Sequence, residues 1–274
     1  HKEYRRQRQM CIRDRTYSAF VEQERRSPDV LIWKPVNNMQ NLPYASQGFR
    51  SNILSQPTID YNLNVLENIQ EYLKAAVLKR TLATDRPVAC LLSGGLDSSL
   101  ITALVNDARK KVLKIDTPLE TYSIGVEGAA DLVYAKKVAD YLGTKHTEVI
   151  LTEQQFFDAI PEVIKAIESY DTTTVRASIG NYLIGKYISE HSDAKVIFNG
   201  DGSDELCGGY LYMHACLDPI EFDKECRRLL KNIYTFDVLR SDKSISSHGL
   251  EPRTPFLDSC LLYTSPSPRD LSTS

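Results

Sequence analysis

The run Ser93-Gly94-Gly95-Leu96-Asp97-Ser98-Ser99 sets two glycines, three hydroxyls and a carboxylate between an apolar stretch, Val88 to Leu92, and another that begins at Leu96. Glycine lets the backbone come close to a ligand with no Cβ in the way. If Leu96 opens a helix, its unpaired N–H groups and the positive end of the dipole favour an anion such as pyrophosphate. Asp97 would repel that anion unless a cation stood between them, which implies Mg2+. The plainer alternative is a glycine turn with Asp97 capping the helix. The complete S-G-G-L-D-S-S after a strand favours phosphate binding, and it matches neither G-x-G-x-x-G nor the Walker pattern.

A second stretch is Asn199-Gly200-Asp201-Gly202-Ser203-Asp204-Glu205, followed by Gly208-Gly209-Tyr210. Asp201, Asp204 and Glu205 repel one another unless a cation neutralises them. In a solvated turn such a cluster is ordinary. At the end of a strand, between glycines, it reads as half of a metal site, with Asp97 and Asp204 gripping a Mg2+ that bridges phosphate oxygens. A third stretch, Glu168 to Ser178, contains Thr173 and Arg176. It is either a capped helix start with a surface arginine or a bidentate grip by Arg176 on a carboxylate or phosphate, with Thr173 donating beside it. The spacing within a fourth, His248 to Asp258, is uninformative alone.

The elements that must position these residues follow from periodicity. A strand is expected over 88–92, then a helix from Leu96 through Val105. Further strands are expected over 121–125, 147–150 and 195–199, with helices over 131–142 (ending at Gly143), 153–169 and 175–189. An amphipathic helix over 63–84 precedes them, with Asp60 or Asn62 as its cap. The remainder, 206–258, reads as helices and loops. Alternating strands and helices predict an α/β fold, a parallel sheet with helices on both faces. Ligands on such sheets sit beyond the carboxyl ends of the strands, where Leu92, Ile124 and Asn199 all end.

Composition sets the outer bounds. The chain has 274 residues, 42% hydrophobic and 25% charged, with a net charge of −3, as expected of a globular protein without a nucleic-acid footprint. No apolar run approaches the roughly 18 residues a membrane span needs. Six cysteines without a C-x-x-C pair are expected to be reduced thiols in a cytoplasmic protein. Residues 1–15 are basic and lack amphipathic order, and the Ser/Pro-rich tail from Tyr263 lacks core periodicity; both read as translated cloning or sequencing linker.

Ser93-Gly94-Gly95-Leu96-Asp97-Ser98 resembles the PP-loop of ATP pyrophosphatases, enzymes that cleave ATP to AMP and pyrophosphate. Together with Ser123-Ile124-Gly125, Tyr170 to Ser178, Gly200 to Tyr210, Tyr212-Met213-His214-Ala215 and the HGLEPRTPFLD segment, the chain resembles the C-terminal synthetase domain of glutamine-dependent asparagine synthetases over roughly 62–258. The resemblance implies an adenine nucleotide alpha hydrolase-like fold and a reaction of aspartate with ATP to β-aspartyl-AMP, from which ammonia displaces AMP. It implies that Leu92 and Ile124 line the adenosine site through their backbone, with Asn199 and Gly200 close to the nucleotide. Ser93, Gly94, Gly95, Asp97 and Ser98 would hold ATP, and Asp97 and Asp204 the Mg2+. Thr173 and Arg176 would stand near aspartate or the developing phosphate charge. Asp201 falls where the family more often has glutamate, the residue tied to intermediate formation and ammonia attack.

Three departures accompany the resemblance. Asp201 is one methylene shorter than glutamate, about 1.5 Å. No glutaminase domain with an N-terminal nucleophilic cysteine is present, so such a domain is expected elsewhere in a full-length chain and this one would use free ammonia. The family's helical extension with a phosphate-contacting lysine is missing. The expected organisation is therefore a fragment: 1–15 foreign, 16–62 linker from the missing domain, 63–258 a truncated synthetase domain and 259–274 a foreign or disordered tail. The resemblance allows a homodimer, and no nucleic-acid or membrane partner is expected. Alternative readings are a PP-loop synthetase adenylating another carboxylate, such as a β-lactam-forming one, or an ATP-binding module without catalysis.

Overall fold

The computed structural model describes residues 63–216 and 218–264. Strands without a polar face must be covered on both sides. Here β1 (Val88–Leu91), β2 (Glu120–Gly125), β3 (Lys145–Ile150), β4 (Val196–Phe198) and β5 (Glu251–Arg253) form one sheet in the order β3-β2-β1-β4-β5, every neighbouring pair parallel. Central β1 pairs Ala89 with Glu120 of β2 on one side and with Ile197 of β4 on the other.

Side chains alternate across the sheet, so successive residues feed different cores. On one face Cys90, Val196 and Phe198 pack with Leu73 and Val77 of α1 (Leu63–Leu82) and with Ile101 and Val105 of α2 (Leu96–Asp107). A π-helical turn, Ala108–Val112, continues α2, and α3 (Ala130–Leu142) lies alongside, ending at Gly143 in the left-handed conformation, φ 66°. The opposite face is formed by Ala89, Tyr122 and Ile197. It is covered by Ile184 and Ile188 of α6 (Thr172–His191) and by Ile245 of α9 (Asp237–Ser246). Between these elements run α4 (Glu153–Asp158), α5 (Ile160–Ile167), α7 (Ser203–Cys207) and α8 (Pro219–Asn232), and α10 (Ser259–Thr264) closes the described chain.

Connections from β1 to β2 to β3 carry their helices on one face, and those from β3 to β4 to β5 on the other. The direction of winding reverses between β1 and β4. Adjacent loops part there and leave a crevice beyond the strand ends, the usual ligand position in an open α/β sheet.

The structure corrects two expectations. The single helix expected over 153–169 is two, α4 and α5, broken at Ala159. Pro161 in the first turn of α5 lacks the N–H needed to continue α4, and Thr152 and Gln155 cap α4 reciprocally. The region 206–258, expected as helices and loops, also contains β5. Pro252 between two charged residues conceals a strand that sits at the sheet edge, where a missing donor is tolerated.

The ends of the described chain meet. Asp258 forms ion pairs with Lys79 (2.7 Å) and Arg80, and the buried Arg253 guanidinium donates to the carbonyls of Arg80 and of Ala83 (3.2 Å) at the end of α1. Leu261 of α10, 4% exposed, packs in the α1–α2 core. The caps Asp60 and Asn62, the segments 1–15 and 16–62, and the tail beyond 264 lie outside the described residues. The five cysteines among the described residues are free thiols, and no helix there is long and apolar enough to cross a membrane.

Candidate active site

The crevice between β1 and β4 has two walls. One is the Ser93–Ser99 turn. Gly95 is the N-cap of α2 and no side chain caps the helix, so its first N–H groups are left facing the opening. The loop is held by its own hydroxyls: Ser93 and Ser98 share a 2.9 Å hydrogen bond, the Ser93 N–H donates to Ser98 Oγ at 3.2 Å, and the Gly95 N–H donates to Ser93 Oγ at 3.4 Å. Leu92 is 1% exposed, its side chain packed on Ala135 and Ala139 of α3, so only its main chain is left to face the crevice. The Leu92 N–H is already committed to the Tyr122 carbonyl at 2.8 Å.

The other wall is the Asn199–Glu205 turn, and the two walls touch. Ser203 Oγ donates to Asp97 Oδ1 at 2.7 Å, and a Cβ on Gly200 would lie 3.0 Å from that of Asp97. Burial and the neighbouring Asp97 and Glu205 carboxylates push the Asp204 carboxyl above the usual range. Glu205 is fully buried, with Tyr210 donating to one oxygen and no partner among the described residues for the other. A Cβ on Gly209 would stand 2.0 Å from Asp204 Oδ1. Crowded acids, with glycine wherever a side chain would fill the space around them, suit a divalent cation shared by Asp97 and Asp204. Among the described residues no group of three or more His, Cys, Asp or Glu side chains could hold a metal ion.

Arg176 and Thr173 lie near the start of α6. Gly180 of α6 faces the Ile124 side chain at the end of β2, while Ser192, past the end of α6, bonds Glu120 at the start of β2; the helix therefore runs antiparallel to the strands. Arg176, one turn before Gly180 on the same face, overhangs the carboxyl end of β2 by about 6 Å of helix rise. It is exposed and its side chain makes no hydrogen bond or ion pair among the described residues, and Thr173 beside it is exposed too. Asp171 takes the capping role, accepting from the N–H and the hydroxyl of Thr174, each at 2.8 Å.

Asp201 lies deeper. Its Oδ2 accepts from Asn199 Nδ2 at 2.9 Å and from Ser241 Oγ of α9, and Asn199 also donates to Ser241. Burial raises the Asp201 carboxyl, opposed by the Ser241 hydrogen bond and by Arg240. The roles of Ser203 and Ser241 escape a reading of the sequence, since a serine carries no signal of its own until its partner is known. A separate cavity of about 720 Å³, lined by Arg86, Arg109, Glu120, Lys145 and His191 among others, opens at the amino ends of β1 to β3. It lies at the pole of the sheet away from these residues.

The family model described as asparagine synthase matches residues 68–219 and 218–266. Asparagine synthetase [glutamine-hydrolyzing] of Cricetulus griseus is 50% identical over 194 residues, 71% of this chain and 34% of that protein. The same enzyme of Mus musculus is 48% identical over 198 residues, 72% of this chain and 35% of that protein. The chain thus spans about a third of the length of these curated relatives. Among solved structures, NAD+ synthetase from Burkholderia pseudomallei aligns with a TM-score of 0.36 and 14% identity, covering 72% of this chain and 86% of that one.

Proposed function

Because this chain belongs to the asparagine synthase family, we propose that its crevice catalyses ATP-dependent amidation of aspartate to asparagine through β-aspartyl-AMP. The observation that carries this reading is the 2.7 Å bond from Ser203 to Asp97, which ties the glycine loop to the acidic turn. A carboxylate is a poor acceptor for ammonia until one of its oxygens becomes part of a leaving group. In the first step an aspartate carboxylate oxygen attacks the α-phosphorus of ATP, the bond to the bridging oxygen breaks, and pyrophosphate leaves. Amides at the start of α2 and the Ser93 and Ser98 hydroxyls hold the phosphates, and Arg176 with Thr173 meets the charge that builds there. Asp97 and Asp204 would hold Mg2+, which supplies charge neutralisation on the departing pyrophosphate. The main chain of Leu92 and Ile124, with Asn199 and Gly200, flanks the adenosine.

In the second step ammonia attacks the acyl carbon, the bond to the AMP oxygen breaks, and Asp201 accepts the proton lost from nitrogen. We propose that glutamine hydrolysis in a further domain of the full-length protein delivers the ammonia, in keeping with the names of the relatives. Incubation with aspartate, ATP, Mg2+ and ammonium should yield asparagine, AMP and pyrophosphate in equal amounts. Absence of all three products from protein shown by circular dichroism to be folded rejects the reading.

A further inference from the structure

We infer that Ser241 is a positioning residue for the ammonia-transfer half of the reaction, holding the Asp201 carboxylate in place through its hydroxyl. The inference rests on the reading of Asp201 as the proton acceptor.

Two residues of one turn and a third some 40 positions on form a closed polar ring: Asn199 just past β4, Asp201 two residues later, and Ser241 on α9. Asn199 Nδ2 donates to Asp201 Oδ2 at 2.9 Å and also to Ser241 Oγ, while Ser241 Oγ donates to the same Asp201 Oδ2. Asn199 is 4% and Ser241 2% exposed, so neither group has water to exchange with. A buried hydrogen-bond ring whose members satisfy one another is rigid, because breaking one bond strands the others. Both donors converge on Oδ2, which leaves Oδ1 to face other groups.

The short side chain of Asp201 makes such a device necessary. With only one methylene it cannot search for its target, so its reach is set by whatever fixes χ1. Asn199 is two residues away and moves with the same turn, so it cannot supply an external reference. Ser241 can, because α9 is packed against the sheet through Ile245. Arg240, the residue before Ser241 on α9, is the cation that opposes the effect of burial on the Asp201 carboxyl.

The test compares Ser241→Ala, Ser241→Thr and Asp201→Asn, using Mg-ATP, aspartate and ammonium. Pyrophosphate exchange reads adenylation, and asparagine formation reads transfer. The 13Cγ resonance of Asp201, identified by its loss in Asp201→Asn, reads the hydrogen bond. Ser241→Ala should shift that resonance and slow asparagine formation about 10- to 100-fold with exchange within about twofold of the parent, and Ser241→Thr should restore both signals. An unmoved resonance, an unaffected transfer rate, or an equal loss of both half-reactions without rescue by threonine overturns the inference. If Asp201→Asn makes asparagine at the parental rate, the proton-acceptor reading itself falls, whatever Ser241→Ala does.

Discussion

Asp204 carries an electrostatic cost that its neighbours do not offset: burial, Asp97 and Glu205 all raise its carboxyl. A residue kept in such surroundings opposes stability in the absence of a cation. Asp204→Asn should therefore melt no lower than the parent while losing about 100-fold or more in pyrophosphate exchange, measured by thermal unfolding and isotope exchange on one preparation. Gly200 sets the gap between the walls. Its added Cβ would meet Ser98 N at 2.9 Å and Asp97 C at 3.0 Å, so one loop must move. Gly200→Ala should weaken Mg-ATP binding about 10- to 100-fold by calorimetry, with a smaller effect on folding. Asp97 and Asp204 stand out in the sequence because a glycine precedes each by two residues just past a strand end. Ser203 and Ser241 do not, because their partners lie 106 and 40 positions away, and only the crossovers of the sheet bring them close.

At the scale of elements, α1 is fastened to the sheet by charged contacts at its end as well as by its apolar stripe. Burial alone would raise the Asp258 carboxyl, but Arg80 and Lys79 outweigh it and hold the group below the usual carboxylate range. Removing one partner of such a buried set leaves two cations facing a low-dielectric pocket. Asp258→Asn should cost about 2–4 kcal/mol at pH 7 in urea unfolding. The sign of its pH dependence follows from the lowered value. The ion pairs contribute fully above the unfolded aspartate pKa of about 3.9, and that contribution fades as pH falls through the folded value. The gap between parent and variant should therefore be flat near neutrality and narrow below about pH 4. The central strands were legible from their apolar runs. β5 was not, because its two charged side chains flank Pro252 and its inward residue is an arginine that bonds backbone carbonyls instead of joining an apolar cluster.

Across the whole molecule, the first and last described helices share one core. Leu73 and Val77 of α1 pack with Leu261 of α10, so deleting residues after 258 should lower the melting temperature even though no crevice residue is lost. A nucleotide bridging the two walls should raise it: saturation at 100 times Kd is worth about 2.7 kcal/mol, and Asp97→Asn should abolish the shift in a thermal melt with Mg-ATP. The wall-to-wall bond from Ser203 to Asp97 has a consequence for biosynthesis. A nascent polypeptide that has emerged only as far as β3 already displays the glycine turn, yet it has no opposing acid with which to engage the triphosphate. On the proposed reading, consumption of ATP therefore has to await the acidic turn, which follows the third crossover of the sheet.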